Sequence, residues 1–131
     1  MKAHASVAIA LTGAALLGAG CGSTSAIEVP SSSPYYHGAV LFREHCSGCH
    51  TLSVVGAQGS ATKITDRQPT NGPNFNFRKD NAEQILYAIR NGGFSGAIMP
   101  ENIVVGEDAH AVANFLAQYS GRSAAPSQPT P

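Results

Sequence analysis

The sequence predicts a single all-α domain between residues 35 and 121. Its total length of 131 residues fits one domain and not two. Three segments inside this range carry apolar residues three and four positions apart, which is the spacing of amphipathic helices. The chain has no Trp and only nine Phe and Tyr residues together. A core built from so little aromatic mass is marginal, so we expect something besides the side chains to fill its centre.

The charge balance excludes one broad class of function. Eight Lys and Arg residues balance eight Asp and Glu residues, for a formal net charge of zero. A general nucleic-acid binder needs a basic surface, so we expect no nucleic-acid partner.

The N-terminus predicts export. Residues 1–20 have the form of a secretory signal, with Lys2 before an apolar stretch too short to span a bilayer comfortably. The run that ends at Cys21 resembles a bacterial lipobox, whose cysteine is lipidated and becomes the new N-terminus. Thr24-Ser25-Ala26 is an alternative cleavage site that would discard Cys21. We predict a lipidated Cys21, a flexible tether over residues 21–34, and a disordered Pro-rich tail over residues 122–131.

Three helices are predicted inside the domain. The first covers about Tyr36–Cys46 and the third about Glu107–Ser120, with Gly121 as its stop. The second covers about Asn81–Asn91. For its start we predict a capping box between Asp80 and Glu83, and for its end the Gly92-Gly93 pair.

The strongest motif is Cys46-Ser47-Gly48-Cys49-His50. This C-x-x-C-H spacing attaches c-type haem, because two thiols on a tight turn can each bond one vinyl group. The adjacent His50 is then held beneath the iron as an axial ligand. A redox disulfide would require a strand-to-helix context, and a zinc site would require further Cys or His ligands. Both alternatives are weaker than one covalent haem c on Cys46 and Cys49.

The stretch from Gly38 to Gly121 resembles a mono-haem class I cytochrome c. It carries the landmarks of that family in order, namely Gly38-x-x-x-Phe42, Cys46-x-x-Cys49-His50, Gly72-Pro73-Asn74-Phe75, Ile89-Arg90-Asn91-Gly92, Met99-Pro100 and Val112-Ala113-Asn114-Phe115-Leu116. The resemblance implies an all-α fold of three main helices and loops wrapped around one covalent haem. It also implies that Gly38 lets the first and last helices approach closely, with Phe42 near Phe115.

The resemblance also implies roles for further residues. The family uses a methionine as the second iron ligand, and Met99 is the only methionine beyond Met1. Bis-histidine ligation would instead use His37, His45 or His110. The Pro73 carbonyl is expected to orient His50, while Ile85, Ile89, Phe94 and Ile98 are expected to pack on the haem. The segment Val54–Thr70 makes the loop after His50 long, and its polar composition predicts a surface insertion.

The function implied is that of a one-electron carrier and not of an enzyme. It would be tethered by its lipid outside the cytoplasmic membrane, on the outer face or in the periplasm. There it would link a quinol-oxidising complex, as donor, to a terminal oxidase or reductase, as acceptor. Two alternatives remain open. One is a haem gas sensor or peroxide-reacting enzyme with an open iron site, and the other is a fixed electron-transfer subunit of a larger oxidoreductase.

Overall fold

A computed structural model describes residues 26–61, 64–93 and 98–122 of the chain. The predicted signal segment, Cys21, Phe94 and residues 123–131 of the predicted tail lie outside these ranges. Arg122, the first residue of that tail, is described, and its Nε donates to the Gln118 carbonyl at 2.8 Å. Three α-helices form the described part: α1 (Tyr36–His45), α2 (Ala82–Asn91) and α3 (Gly106–Tyr119). Two short strands, β1 (Thr51–Leu52) and β2 (Ala57–Gln58), pair antiparallel after α1. The predicted all-α class is confirmed, and each predicted helix lies within two residues of its expected bounds.

The crossing of α1 and α3 forms the centre of the core. A Cβ on Gly38 would lie 2.2 Å from the Ala111 carbonyl oxygen, so only glycine permits this close approach. Phe42 and Phe115 are fully buried at the crossing, with ring centroids 6.0 Å apart. The expected positions of Gly38, Phe42 and Phe115 are therefore confirmed.

Helix α2 begins one residue later than the sequence predicts. Its N-cap is Asn81, whose side chain accepts a hydrogen bond from the Gln84 N–H at 2.9 Å. The Gln84 side chain accepts one in return from the Asn81 N–H at 3.0 Å. The predicted Asp80–Glu83 box is wrong because the Asp80 carboxylate instead accepts from Arg78 Nε at 2.7 Å. At the other end the helix ends at Asn91 and is followed by Gly92, whose positive φ of 75° favours glycine.

Two segments predicted to lie outside the core contribute to it. Val29 is only 2% exposed, and the Glu28 N–H donates to the Val54 carbonyl at 2.8 Å. The tether therefore does not extend to Pro34 as predicted, since Val29 is buried in the core and Ile27 packs against it. In the predicted surface insertion, Val55 and Ala57 are buried. That segment is thus partly core, and it contains β2.

Within the three described ranges, no helix is both long enough and apolar enough to cross a membrane.

Candidate functional site

A cavity of about 510 Å³ lies between the end of α1, the inner faces of α2 and α3, and the loops that connect them. Its size is within the range of cofactor sites. The two cysteines and the histidine of the C-x-x-C-H motif line it together with Met99. The apolar part of its remaining wall is formed by Phe42, Phe75, Ile85, Ala88, Ile89, Ile98, Ile103, Val112 and Leu116, and polar side chains that include Arg67, Arg78 and Asp80 also line it.

The C-x-x-C-H segment turns tightly as α1 ends. The Cys46 carbonyl accepts hydrogen bonds from the backbone N–H of Cys49 at 3.1 Å and of His50 at 3.0 Å. This turn brings both thiols and the imidazole to the same cavity. Cys46 and Cys49 form no disulfide with each other, so both sulfur atoms are available for thioether bonds. Burial, together with the nearby Cys49, raises the pKa of the Cys46 thiol to about 12.

His50 is held from two sides. Its side chain is buried, and Nδ1 lies 3.0 Å from the Pro73 carbonyl oxygen, the contact that Pro73 needs for its predicted role. The Phe75 ring lies beside it, with centroids 5.0 Å apart. Burial lowers the pKa of His50, the Pro73 hydrogen bond opposes this, and Arg78 adds to the lowering. Since a carbonyl only accepts, Nδ1 carries the proton and Nε2 keeps the lone pair that a metal needs.

Two further residues support this imidazole: Gly72, which the sequence placed in a family landmark without assigning it a role, and Ser60, which the sequence did not single out. A Cβ on Gly72 would lie 2.2 Å from His50 Cε1, so glycine alone leaves room for the ring. The Gly72 N–H also donates to the Cys49 carbonyl at 2.7 Å. Ser60, in the predicted insertion, is buried with its hydroxyl 3.2 Å from the Pro73 carbonyl oxygen. No sequence signal distinguishes Ser60 from the other polar residues around it.

Met99 reaches the cavity from a loop tied to the end of α2. The Met99 carbonyl accepts from the Gly93 N–H at 3.4 Å, and the Asn102 N–H donates to the Ile89 carbonyl at 2.7 Å. Met99 itself is half-buried. Of the residues expected to pack on the haem, Ile85 and Ile89 are buried in the wall, and Ile98 lies exposed at the rim. Phe94 lies outside the described residues.

Of the three alternative histidine ligands, two lie outside the cavity and one lies at its rim. His37 is exposed and pairs with Asp108 at 2.8 Å, and His110 is exposed near Arg90. Neither lines the cavity, while His45 lies at its rim, directly before Cys46. In the part of the chain that the structure describes, no group of three or more His, Cys, Asp or Glu side chains is placed so that it could hold a metal ion, as a zinc site would require.

The donor set fits a covalently bound haem. Two free thiols, an imidazole with a fixed tautomer and a thioether share one mainly apolar cavity, as the attachment and axial ligation of a c-type haem require. The fold and the cavity therefore define a small c-type haem protein.

Comparisons with known proteins identify the family. The family model for cytochrome c matches residues 36–120, about two-thirds of the chain. The c-type cytochrome SorU from Sinorhizobium meliloti is a similar solved structure, with 30% identity and a TM-score of 0.53. The match covers 67% of this chain and 92% of SorU. No curated protein matches the sequence significantly. The chain belongs to the cytochrome c family, so it carries one covalent haem c and acts in haem-based electron transfer.

Proposed function

We propose that this protein is a one-electron carrier with His50 and Met99 as axial iron ligands and with the haem bonded to Cys46 and Cys49. The observation that carries the proposal is the convergence of all four side chains on one cavity. A site whose two axial positions are both occupied by protein favours electron transfer over the binding of gases or peroxide.

The protein's own residues would keep the geometry and solvation of the site nearly unchanged when the haem gains or loses one electron. The haem supplies the one-electron couple. Pro73 holds the proton of His50 at Nδ1, which keeps Nε2 available as the iron donor. The hydrogen bonds between the Met99 loop and α2 hold the thioether in place. Burial of Ile85 and Ile89 keeps water from this part of the wall, so little solvent has to reorganise.

We also propose that Cys21 is lipidated and anchors the domain outside the cytoplasmic membrane. The folded part begins by Ile27, since the Glu28 N–H and Val29 are already attached to the core. Only residues 22–26 then separate the lipid from the domain, a reach of at most about 20 Å. Anchoring would raise the local concentration of the carrier near membrane complexes. A quinol-oxidising complex as donor and a terminal oxidase or reductase as acceptor fit that location.

Absorption spectra and intact mass of the mature protein test this proposal. We expect a low-spin spectrum with a sulfur-to-iron band when oxidised, and no rapid binding of carbon monoxide when reduced. The mass should report one porphyrin, and lipid on a chain that starts at Cys21. Met99→Ala should abolish the sulfur-to-iron band and admit carbon monoxide, because it empties one axial position.

His37→Ala and His110→Ala serve as matched controls for the alternative ligands, and both should leave the spectrum unchanged. A high-spin wild type that binds carbon monoxide rapidly would contradict the carrier and favour a gas sensor or peroxide-reacting enzyme. A mature chain without lipid that starts at Ile27 would contradict the anchor alone.

A further inference from the structure

Ser60 approaches the carbonyl that orients His50. It follows β2 and is buried between the C-x-x-C-H segment and the Gly72-Pro73 segment. Its Oγ lies 3.2 Å from the Pro73 carbonyl oxygen, and the same oxygen accepts the His50 Nδ1–H at 3.0 Å. One acceptor therefore serves two donors, of which one is the proposed iron ligand.

The position of the Ser60 hydroxyl is fixed on several sides. Its oxygen accepts from the Thr51 N–H at 3.0 Å, and the Ser60 N–H donates to Thr51 Oγ1 at 2.9 Å. The single hydroxyl hydrogen faces three carbonyl oxygens, those of Gly72 at 2.9 Å, Pro73 at 3.2 Å and Cys49 at 3.3 Å. Since a hydroxyl has one hydrogen to donate, these three carbonyls compete for it. Donation to Pro73 is thus partial, and the backbone around Ser60 holds it in place.

A second donor changes what the first donor experiences. Electron density that the Pro73 carbonyl oxygen gives to Ser60 is not available to the His50 N–H, because two donors at one oxygen compete for its lone-pair density. A weaker acceptor leaves the imidazole less electron-rich, and the basicity of such a ligand is set by this outer hydrogen bond. A less basic axial ligand stabilises ferric iron less, which raises the reduction potential.

We propose that Ser60 is a positioning residue that raises the reduction potential of the haem by sharing the Pro73 carbonyl with His50. The inference rests on the proposed role of His50 as an axial ligand. Ser60 itself lies in the segment that connects the haem motif to Pro73.

Ser60→Ala tests the proposal by redox titration of the haem-loaded protein. Without the hydroxyl, Pro73 accepts from His50 alone, so the ferric form should be favoured. We expect the oxidation equilibrium to shift by about threefold, which for a one-electron couple lowers the midpoint potential by about 30 mV. Ser60→Thr keeps the hydroxyl, so its midpoint potential should equal that of the wild type.

Asn76→Ala is the matched control. Asn76 is also buried, and like Ser60 it accepts a backbone N–H from the segment after His50, that of Ser53 at 2.8 Å. It has no contact with the Pro73 carbonyl and does not line the cavity. Asn76→Ala should therefore lower stability as Ser60→Ala does, but leave the potential unchanged. A potential that stays the same or rises in Ser60→Ala, or falls equally in both variants, would overturn the inference.

A proton NMR measurement on the reduced wild type keeps the test decisive if Ser60→Ala does not retain haem. Two hydrogens that donate to one oxygen lie close together, so a cross-peak between the Ser60 hydroxyl and the His50 Nδ1–H is expected. An observable His50 Nδ1–H without that cross-peak would overturn the sharing. Failure of the proposed function looks different, because the wild type itself would then lack a low-spin spectrum.

Discussion

At the scale of single residues, Gly72 is the strictest requirement of the site. A Cβ at this position would lie 2.2 Å from Cε1 and 2.5 Å from Nδ1 of the His50 ring. Gly72→Ala must therefore displace the imidazole or the segment that carries Pro73. We expect a loss of the low-spin spectrum, with a large drop in the yield of haem-loaded protein, measured by visible absorption against total protein.

Gly48→Ala is the control for that substitution. Gly48 lies inside the C-x-x-C-H motif, but a Cβ there would meet no atom within 4 Å. Its spectrum and yield should match the wild type. If both substitutions reduced the yield of haem-loaded protein equally, the loss could not be attributed to the close contact between Gly72 and His50.

Residues whose role follows from covalent spacing could be predicted from the sequence directly, while tertiary contacts could be predicted only where the family resemblance implied them, as for Pro73 and His50. Cys46, Cys49 and His50 are readable because attachment of the porphyrin fixes their separation along the chain. The placement of Asp80 as N-cap was wrong, since nothing in the sequence reveals that Arg78 pairs with it. Ser60 reaches the Pro73 carbonyl from thirteen positions away, and no local pattern encodes that contact.

At the scale of elements, the N-terminal segment before α1 forms part of the domain. Val29 is 2% exposed and packs in the main hydrophobic cluster, although its neighbours are mostly Ser and Pro. Val29→Ala removes buried apolar surface and leaves a cavity, which should cost about 2 kcal/mol in the free energy of unfolding. Denaturant titration of the haem-loaded protein would measure it.

Val105→Ala makes the same chemical change at a position that is 64% exposed. We expect its free energy of unfolding to stay within about 0.5 kcal/mol of the wild type. If Val29→Ala were equally neutral, the segment would be a loose tether up to Pro34, as its composition alone suggests.

Elements with many local contacts could be predicted, while those fixed by distant partners could not. The three helices follow from the spacing of their apolar residues, which is a local property. Strands β1 and β2 have two residues each, too few for an alternating pattern to be recognised. Thr51 is also bridged to Asn74, and this contact helps to hold the segment after His50 close to Pro73. The polar composition of Val54–Thr70 therefore predicted a surface insertion, whereas in the structure part of this segment, including Ser60, is buried beside Pro73 and His50.

At the scale of the whole molecule, the haem completes the hydrophobic core. Helices α1 and α3 pack together at their crossing, but beside it the faces of α1, α2 and α3 line a cavity of about 510 Å³. A core that left such a space unfilled would forgo the burial of the apolar side chains that line it, and an ordinary domain is stable by only about 5–15 kcal/mol in all. The sequence can have few aromatic residues because the porphyrin supplies apolar mass that they would otherwise provide.

The chain should therefore not fold cooperatively without its porphyrin. We expect the double variant Cys46→Ala, Cys49→Ala, purified free of haem, to keep part of its helical circular dichroism, to bind ANS, and to melt without a sharp transition. Addition of free haem should restore some cooperativity, because it supplies the missing apolar mass without the thioether bonds. A sharp melt of the haem-free variant, close to that of the holoprotein, would mean that the three helices pack against one another unaided and that the porphyrin only occupies a preformed site.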